Sequence, residues 1–181
     1  MRTIILVLAL LLAPLVLPVG SAEGPTDGRC DDTGRLVCAA ANAGANVTCT
    51  LTPTHEASCD WTAGYLWEAY SPVGLPGDAT MSTLFVWTTC ITGHGCHVID
   101  DDGDATCSWV AILTCGGSVG PLSGSVGPSQ LALGGCLTVT IVQSITVEAS
   151  VVSGGPLLAT AAWTDLGEAA GSVCAVDDGR D

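Results

Sequence analysis

The chain has 181 residues, 18 of them Asp or Glu and only 4 Lys or Arg, for a formal net charge of -14. Phosphate backbones and anionic lipid heads need clustered cations, so nucleic acid and membrane surfaces are excluded as expected partners. The acidity either suits salty surroundings or simply keeps the chain soluble.

At the N-terminus, Arg2 precedes the apolar run IILVLALLLAPLVLP, which is followed by VGSAEG with small residues at Gly20 and Ala22. This predicts a secretory signal peptide over residues 1–22, cleaved after Ala22. The run is shorter than the roughly 20 residues that a membrane-spanning helix needs. No cysteine directly follows the cleavage point, and the tail AVDDGRD is polar, which argues against lipid anchors. The expectation is a mature chain of residues 23–181, secreted and extracellular, with no membrane insertion after cleavage.

Ten cysteines fall in that mature part, an even count that in an exported chain predicts five disulfides. The simplest pairing joins neighbours, Cys30 with Cys38, Cys49 with Cys59, Cys90 with Cys96 and Cys107 with Cys115, and then Cys136 with Cys174. Spacing alone does not fix connectivity. At about 2–4 kcal/mol each, such staples rival the net stability of a whole domain.

In chain order, the short runs RLVCAA, NVTCTL, GYLWEAY and STLFVWTTC are rich in β-formers and separated by Gly, Pro, Asp and Asn, which predicts strands. NVT at Asn46–Thr48 is an acceptor sequon for N-glycosylation at Asn46. HEASC, from His55 to Cys59, begins like the metalloprotease helix motif, but Cys59 stands where the second histidine belongs. Cys49, Trp61 and Cys107 follow the cysteine–tryptophan–cysteine order of an immunoglobulin-like arrangement, with Ala105 in place of the corner tyrosine. Three residues do not carry a family assignment, and none is made.

The densest chemistry lies in CITGHGCHVIDDDGDATC, Cys90 to Cys107. Cys90, His94, Cys96 and His97 have the residue types of a tetrahedral zinc site, although a disulfide between the cysteines would consume its thiolates. Asp100, Asp102 and Asp104 occupy alternate positions of a calcium-loop pattern that then lacks its glycine and its bidentate glutamate. The simpler reading is a hairpin turn at Asp102-Gly103 between HVID and ATCSW. A weak calcium site is the one cofactor the sequence suggests.

Further along, TCSWVAILTC predicts another strand, whereas residues 117–130 hold the tandem near-repeat GSVGPLS, GSVGPSQ. Its glycines and prolines predict a long loop, and a sub-boundary there would divide the chain into two small β modules. LTVTIVQSITVEASVV, residues 137–152, alternates apolar and hydroxyl-bearing residues with the period of a half-buried strand. Sixteen extended residues would span roughly 50 Å, so a bend near Gln143-Ser144 is expected. SGGP then turns the chain into LLATAAWTD, and GSVCAV closes the sheet.

The expected architecture is an all-β antiparallel sandwich, immunoglobulin-like or not, stapled by disulfides, or else two small β modules. Acid pairs such as Asp60 with Glu68, or Asp165 with Glu168, are the remaining candidates for glycosidic chemistry. Five tryptophans are expected mainly in the core. Three functions stand open. One is a secreted binding or cell-envelope module, non-enzymatic, with a protein or carbohydrate ligand. The second is a calcium-dependent carbohydrate-binding or adhesive domain using Asp100, Asp102 and Asp104 with Trp87 or Trp109 exposed nearby. The third is a small secreted hydrolase.

Overall fold

The computed structural model describes residues 28–176 apart from 35, 112 and 153, so the expected signal peptide lies outside the described residues. Among the described residues the chain forms eight strands and no helix: β1 (Gly28–Cys30), β2 (Cys38–Leu51), β3 (Glu56–Tyr70), β4 (Gly77–Ile91), β5 (Gly95–Trp109), β6 (Thr114–Gln130), β7 (Cys136–Val152) and β8 (Leu157–Cys174). They make two antiparallel sheets, ordered β1-β2-β3-β6 and β5-β4-β7-β8, packed as a sandwich.

The core follows directly from the alternation in β7. Its inward side chains Leu137, Val139, Ile141, Ile145, Val147 and Val151 are all 0 % exposed. Each contributes about 1.5–3 kcal/mol of burial. The expected bend at Gln143-Ser144 is not there: β7 runs unbroken for 17 residues. Continuous pairing on both sides explains this, since Gln143 sits between Phe85 of β4 and Gly167 of β8 and its side chain is buried. It separates two hydrophobic clusters, one around Trp67, Trp109 and Ile145 and one around Cys59, Leu137 and Val139.

The sheets meet most tightly where β8 crosses β2. A Cβ on Gly167 would lie 2.9 Å from the Ala43 carbonyl oxygen, and one on Gly171 would lie 2.6 Å from Val47 Cγ1, so glycine is what lets the two strands approach. β1 pairs with β2 only from Cys38 to Ala40. Beyond it, the Ala43 N–H donates to Asp165 Oδ2 at 2.6 Å, which satisfies an edge donor with a side chain from the opposite sheet.

All five disulfides form with the neighbour pairing, and no described cysteine is free. Four of them join residues directly opposite each other on adjacent strands. Cys107–Cys115 differs, because it ties the end of β5 to the start of β6 and so links one edge of each sheet. Cys49 and Cys107 therefore have separate partners, and the inter-sheet bridge of an immunoglobulin-like domain is not formed.

Two expected turns are also corrected. Asp102-Gly103 lies in mid-strand, with Asp102 opposite Leu84 and Gly103 opposite Thr83, and the real β4–β5 turn is Ile91–Gly95, closed by the His94 N–H to the Ile91 carbonyl at 3.0 Å. Residues 117–130 are not a loop but most of β6, paired with β3. Each Gly-Pro of the repeat is a β-bulge: Gly120 and Pro121 together face Gly64, and Gly127 and Pro128 together face Ser58. Proline is tolerated because β6 is an edge strand, where one side needs no donors. Gly120 and Gly127 adopt φ of 116° and 101°, a region closed to most side chains.

In the β1–β2 turn, Asp31 is buried and accepts hydrogen bonds from the Thr33 hydroxyl and from the N–H groups of Leu36 (2.8 Å) and Val37 (3.1 Å). The Thr33 hydroxyl and then these amides hold its carboxyl well below the ordinary carboxylate range, against the opposing effect of burial.

Candidate functional site

Directly paired residues on neighbouring strands point to the same face of a sheet, so the registers define rows of side chains. On the outward face of the β1-β2-β3-β6 sheet, one row is Asn42, Leu66 and Ser118, and another is Asn46, Thr62 and Ser123. Between them runs a row without side chains over most of its length: Gly44, Gly64 and the Gly120-Pro121 bulge. The missing side chains leave an open trench of about 510 Å3. This volume falls within the roughly 300–1,000 Å3 range of ligand sites.

The two ends of that row are built differently. A Cβ on Gly44 would meet nothing within 4 Å, so this glycine opens the trench without being required by the backbone. A Cβ on Gly64 would lie 3.0 Å from the Val119 carbonyl oxygen, and one on Gly120 would lie 2.8 Å from Gly64 Cα. Here the bulge presses onto β3, and glycine is obligatory. The walls carry the Asn42 and Asn46 carboxamides and the Thr62 and Ser118 hydroxyls, with Leu66 and Pro121 as apolar surface. None of the described residues lining the trench is charged.

The residues singled out from the sequence lie elsewhere, Asn46 excepted. Asp100, Asp102 and Asp104 are exposed along β5, an edge strand, and they alternate outward, opposite Val86, Leu84 and Ser82 of β4. Alternate residues in a strand are roughly 6.6 Å apart and project side by side from one face, without converging on a common centre. Among the described residues no group of three or more His, Cys, Asp or Glu is placed to hold a metal ion. Trp87 lies on the opposite face from this row, against the Trp61 ring at a centroid distance of 5.6 Å, and Trp109 is buried with its Nε1 donating to the Leu75 carbonyl at 2.9 Å. The carboxylates and exposed indoles of a calcium-dependent sugar site are therefore not brought together.

The zinc set is likewise dispersed, with Cys90 bonded to Cys96, His94 in the β4–β5 turn and His97 on β5 opposite Thr89. HEASC is not a helix: His55 is a turn residue with a positive φ of 62°, and Glu56 to Cys59 are the first residues of β3. Asp60 and Glu68 sit eight residues apart on β3, roughly 26 Å in an extended strand and too far to flank one glycosidic bond. Asp165 points inward to Ala43, while Glu168 is exposed on the other face of β8.

Sequence reasoning passed over the trench because its signal is a lack of side chains. Gly44 in ANAGANV and Gly64 in TAGYL are isolated glycines inside strand-like runs, which mark a bulge or a close backbone approach. No protein-family model matches the chain, and no curated protein is significantly similar to it. A functional reading therefore rests on the geometry of the site.

Proposed function

We propose that the chain is a secreted, disulfide-stapled binding module that holds its ligand in the Gly44–Gly64–Gly120 trench and carries out no covalent chemistry there. The observation that carries this reading is the trench itself: a recess of about 510 Å3 on a rigid sheet, with a largely apolar lining that carries amide and hydroxyl groups and is free of carboxylate, imidazole or thiol. Such a lining can orient a ligand by hydrogen bonds but offers neither a nucleophile of raised reactivity nor an acid–base pair. Five disulfides suit an oxidising extracellular setting and fix the strands that form the walls.

The test is a binding screen of immobilised residues 23–181 against neutral oligosaccharides and extended peptides, with Gly44→Trp as the control. The indole would fill the trench at a position where the backbone leaves open space. Saturable binding by one ligand class, weakened at least about tenfold in Gly44→Trp at unchanged thermal midpoint, supports the reading. Binding that ignores the plug, or no saturable binding at all, overturns it.

A further inference from the structure

The trench has a chemistry of its own, and from it we infer the ligand class: a neutral glycan. This inference rests on the binding-module reading and narrows it.

Charge is the first argument. The chain carries a net charge of -14, yet no described residue lining the trench is charged. An anionic ligand meets the repulsion of the whole molecule and finds no cation in the trench to offset it. A cationic ligand is drawn instead to the exposed aspartates of β5. What the trench accommodates without an electrostatic penalty is an uncharged molecule.

Hydrogen-bonding capacity is the second. Asn42 and Asn46 each present both a donor and an acceptor, as do the hydroxyls of Thr62 and Ser118. Among the described residues none of these four side chains is engaged in another hydrogen bond. Sugar hydroxyls are themselves both donors and acceptors, so they match walls of this kind in either direction. Leu66 and Pro121 supply apolar surface for the C–H face of a sugar ring.

Direction is the third, and it separates a glycan from a peptide. Peptides held by sheets commonly add as a strand to an edge, where free N–H and C=O groups continue the ladder. The trench instead runs across β2, β3 and β6, whose facing backbone groups are paired in register on both sides of the Gly120-Pro121 bulge. A peptide lying there would have few partners for its own amides, whereas a glycan has no such requirement.

The experiment is affinity electrophoresis of residues 23–181, made in a host without N-glycosylation so that Asn46 stays unmodified, through gels holding hydroxyethylcellulose, mannan or dextran. Polygalacturonate serves as the anionic comparison. Two variants accompany the wild type: Gly44→Trp, which fills the trench, and Thr62→Val, which keeps the β-branched shape and removes a hydroxyl. Circular dichroism and thermal unfolding establish that both fold. The expected result is retardation by at least one neutral polysaccharide, weakened roughly tenfold or more in both variants, with none by polygalacturonate. Equal retardation by polygalacturonate, retardation indifferent to Gly44→Trp, or no retardation by any neutral polymer overturns the glycan class. If extended peptides bind and Gly44→Trp blocks them while neutral glycans do not bind, the binding-module reading stands and the glycan inference falls.

Discussion

The two outward faces of the sandwich differ in how their central rows are filled. On the β5-β4-β7-β8 sheet every outward position of β7 and β8 carries a side chain, and two hydroxyl pairs bond across these strands, Thr138 with Ser172 at 2.9 Å and Thr146 with Thr164 at 3.0 Å. On the other sheet, Gly44, Gly64 and the Gly120-Pro121 bulge empty the middle row, and a trench opens between amide and hydroxyl walls. A recess on a flat sheet thus needs no inserted loop. Deleting side chains in one register row is enough, provided an edge strand can carry the bulge that ends it.

Substitutions can break or sharpen this contrast, beginning with the core on which both faces rest. Ile145→Ala removes a fully buried side chain of β7 and should lower stability by about 2–5 kcal/mol in chemical denaturation. Its outward neighbour Thr146→Ala loses one cross-strand hydroxyl pair and should cost about 0.2–1 kcal/mol. Equal losses at the two positions would contradict the assignment of inner and outer faces.

Within the trench row the same substitution should have opposite consequences at its two ends. Gly120→Ala forces a Cβ into a φ of 116° and against Gly64, and should destabilise by about 1–3 kcal/mol. Gly44→Ala meets open space and should leave stability unchanged or raise it, within about 1 kcal/mol. Similar effects at both glycines would show that β6 is not bulged against β3 there.

Asp31 lies in the β1–β2 turn, outside both faces, and provides a control confined to acid pH. Its folded-state carboxyl titrates below the unfolded value of about 3.9, so its stabilisation is fully present above that pH and is lost as pH falls toward the folded value. Thermal midpoints measured from pH 5 down to pH 2.5 should therefore fall more steeply in the wild type than in Asp31→Asn. Parallel curves would mean that the carboxylate does not favour the folded state.

Much of the fold was legible because it follows from side chains that are present. The alternation of Leu137 to Val152 specified the inward face of β7, and an even cysteine count with local spacing anticipated the staples. The trench and β6 were not legible because they depend on what is missing. Glycine and proline at residues 117–130 carry the usual signature of a loop, and only the partner strand shows that the seven-residue repeat is a bulge repeated against a six-residue step on β3. The Asp100–Asp104 run misled for a related reason. Its residues favour turns, but fifteen consecutive pairs with β4 hold β5 extended, and a row of exposed aspartates on an edge strand discourages further strand addition.

The most direct test of the account is a chemical-shift titration of 15N-labelled residues 23–181 with cellohexaose, mannohexaose and xylohexaose. The account predicts that one of these sugars shifts a cluster of amides at Asn42, Gly44, Asn46, Thr62, Gly64 and Ser118, with the outward residues of β7 and β8 unmoved. Shifts concentrated on the threonine- and serine-bearing face, or none with any of the three sugars, would contradict it.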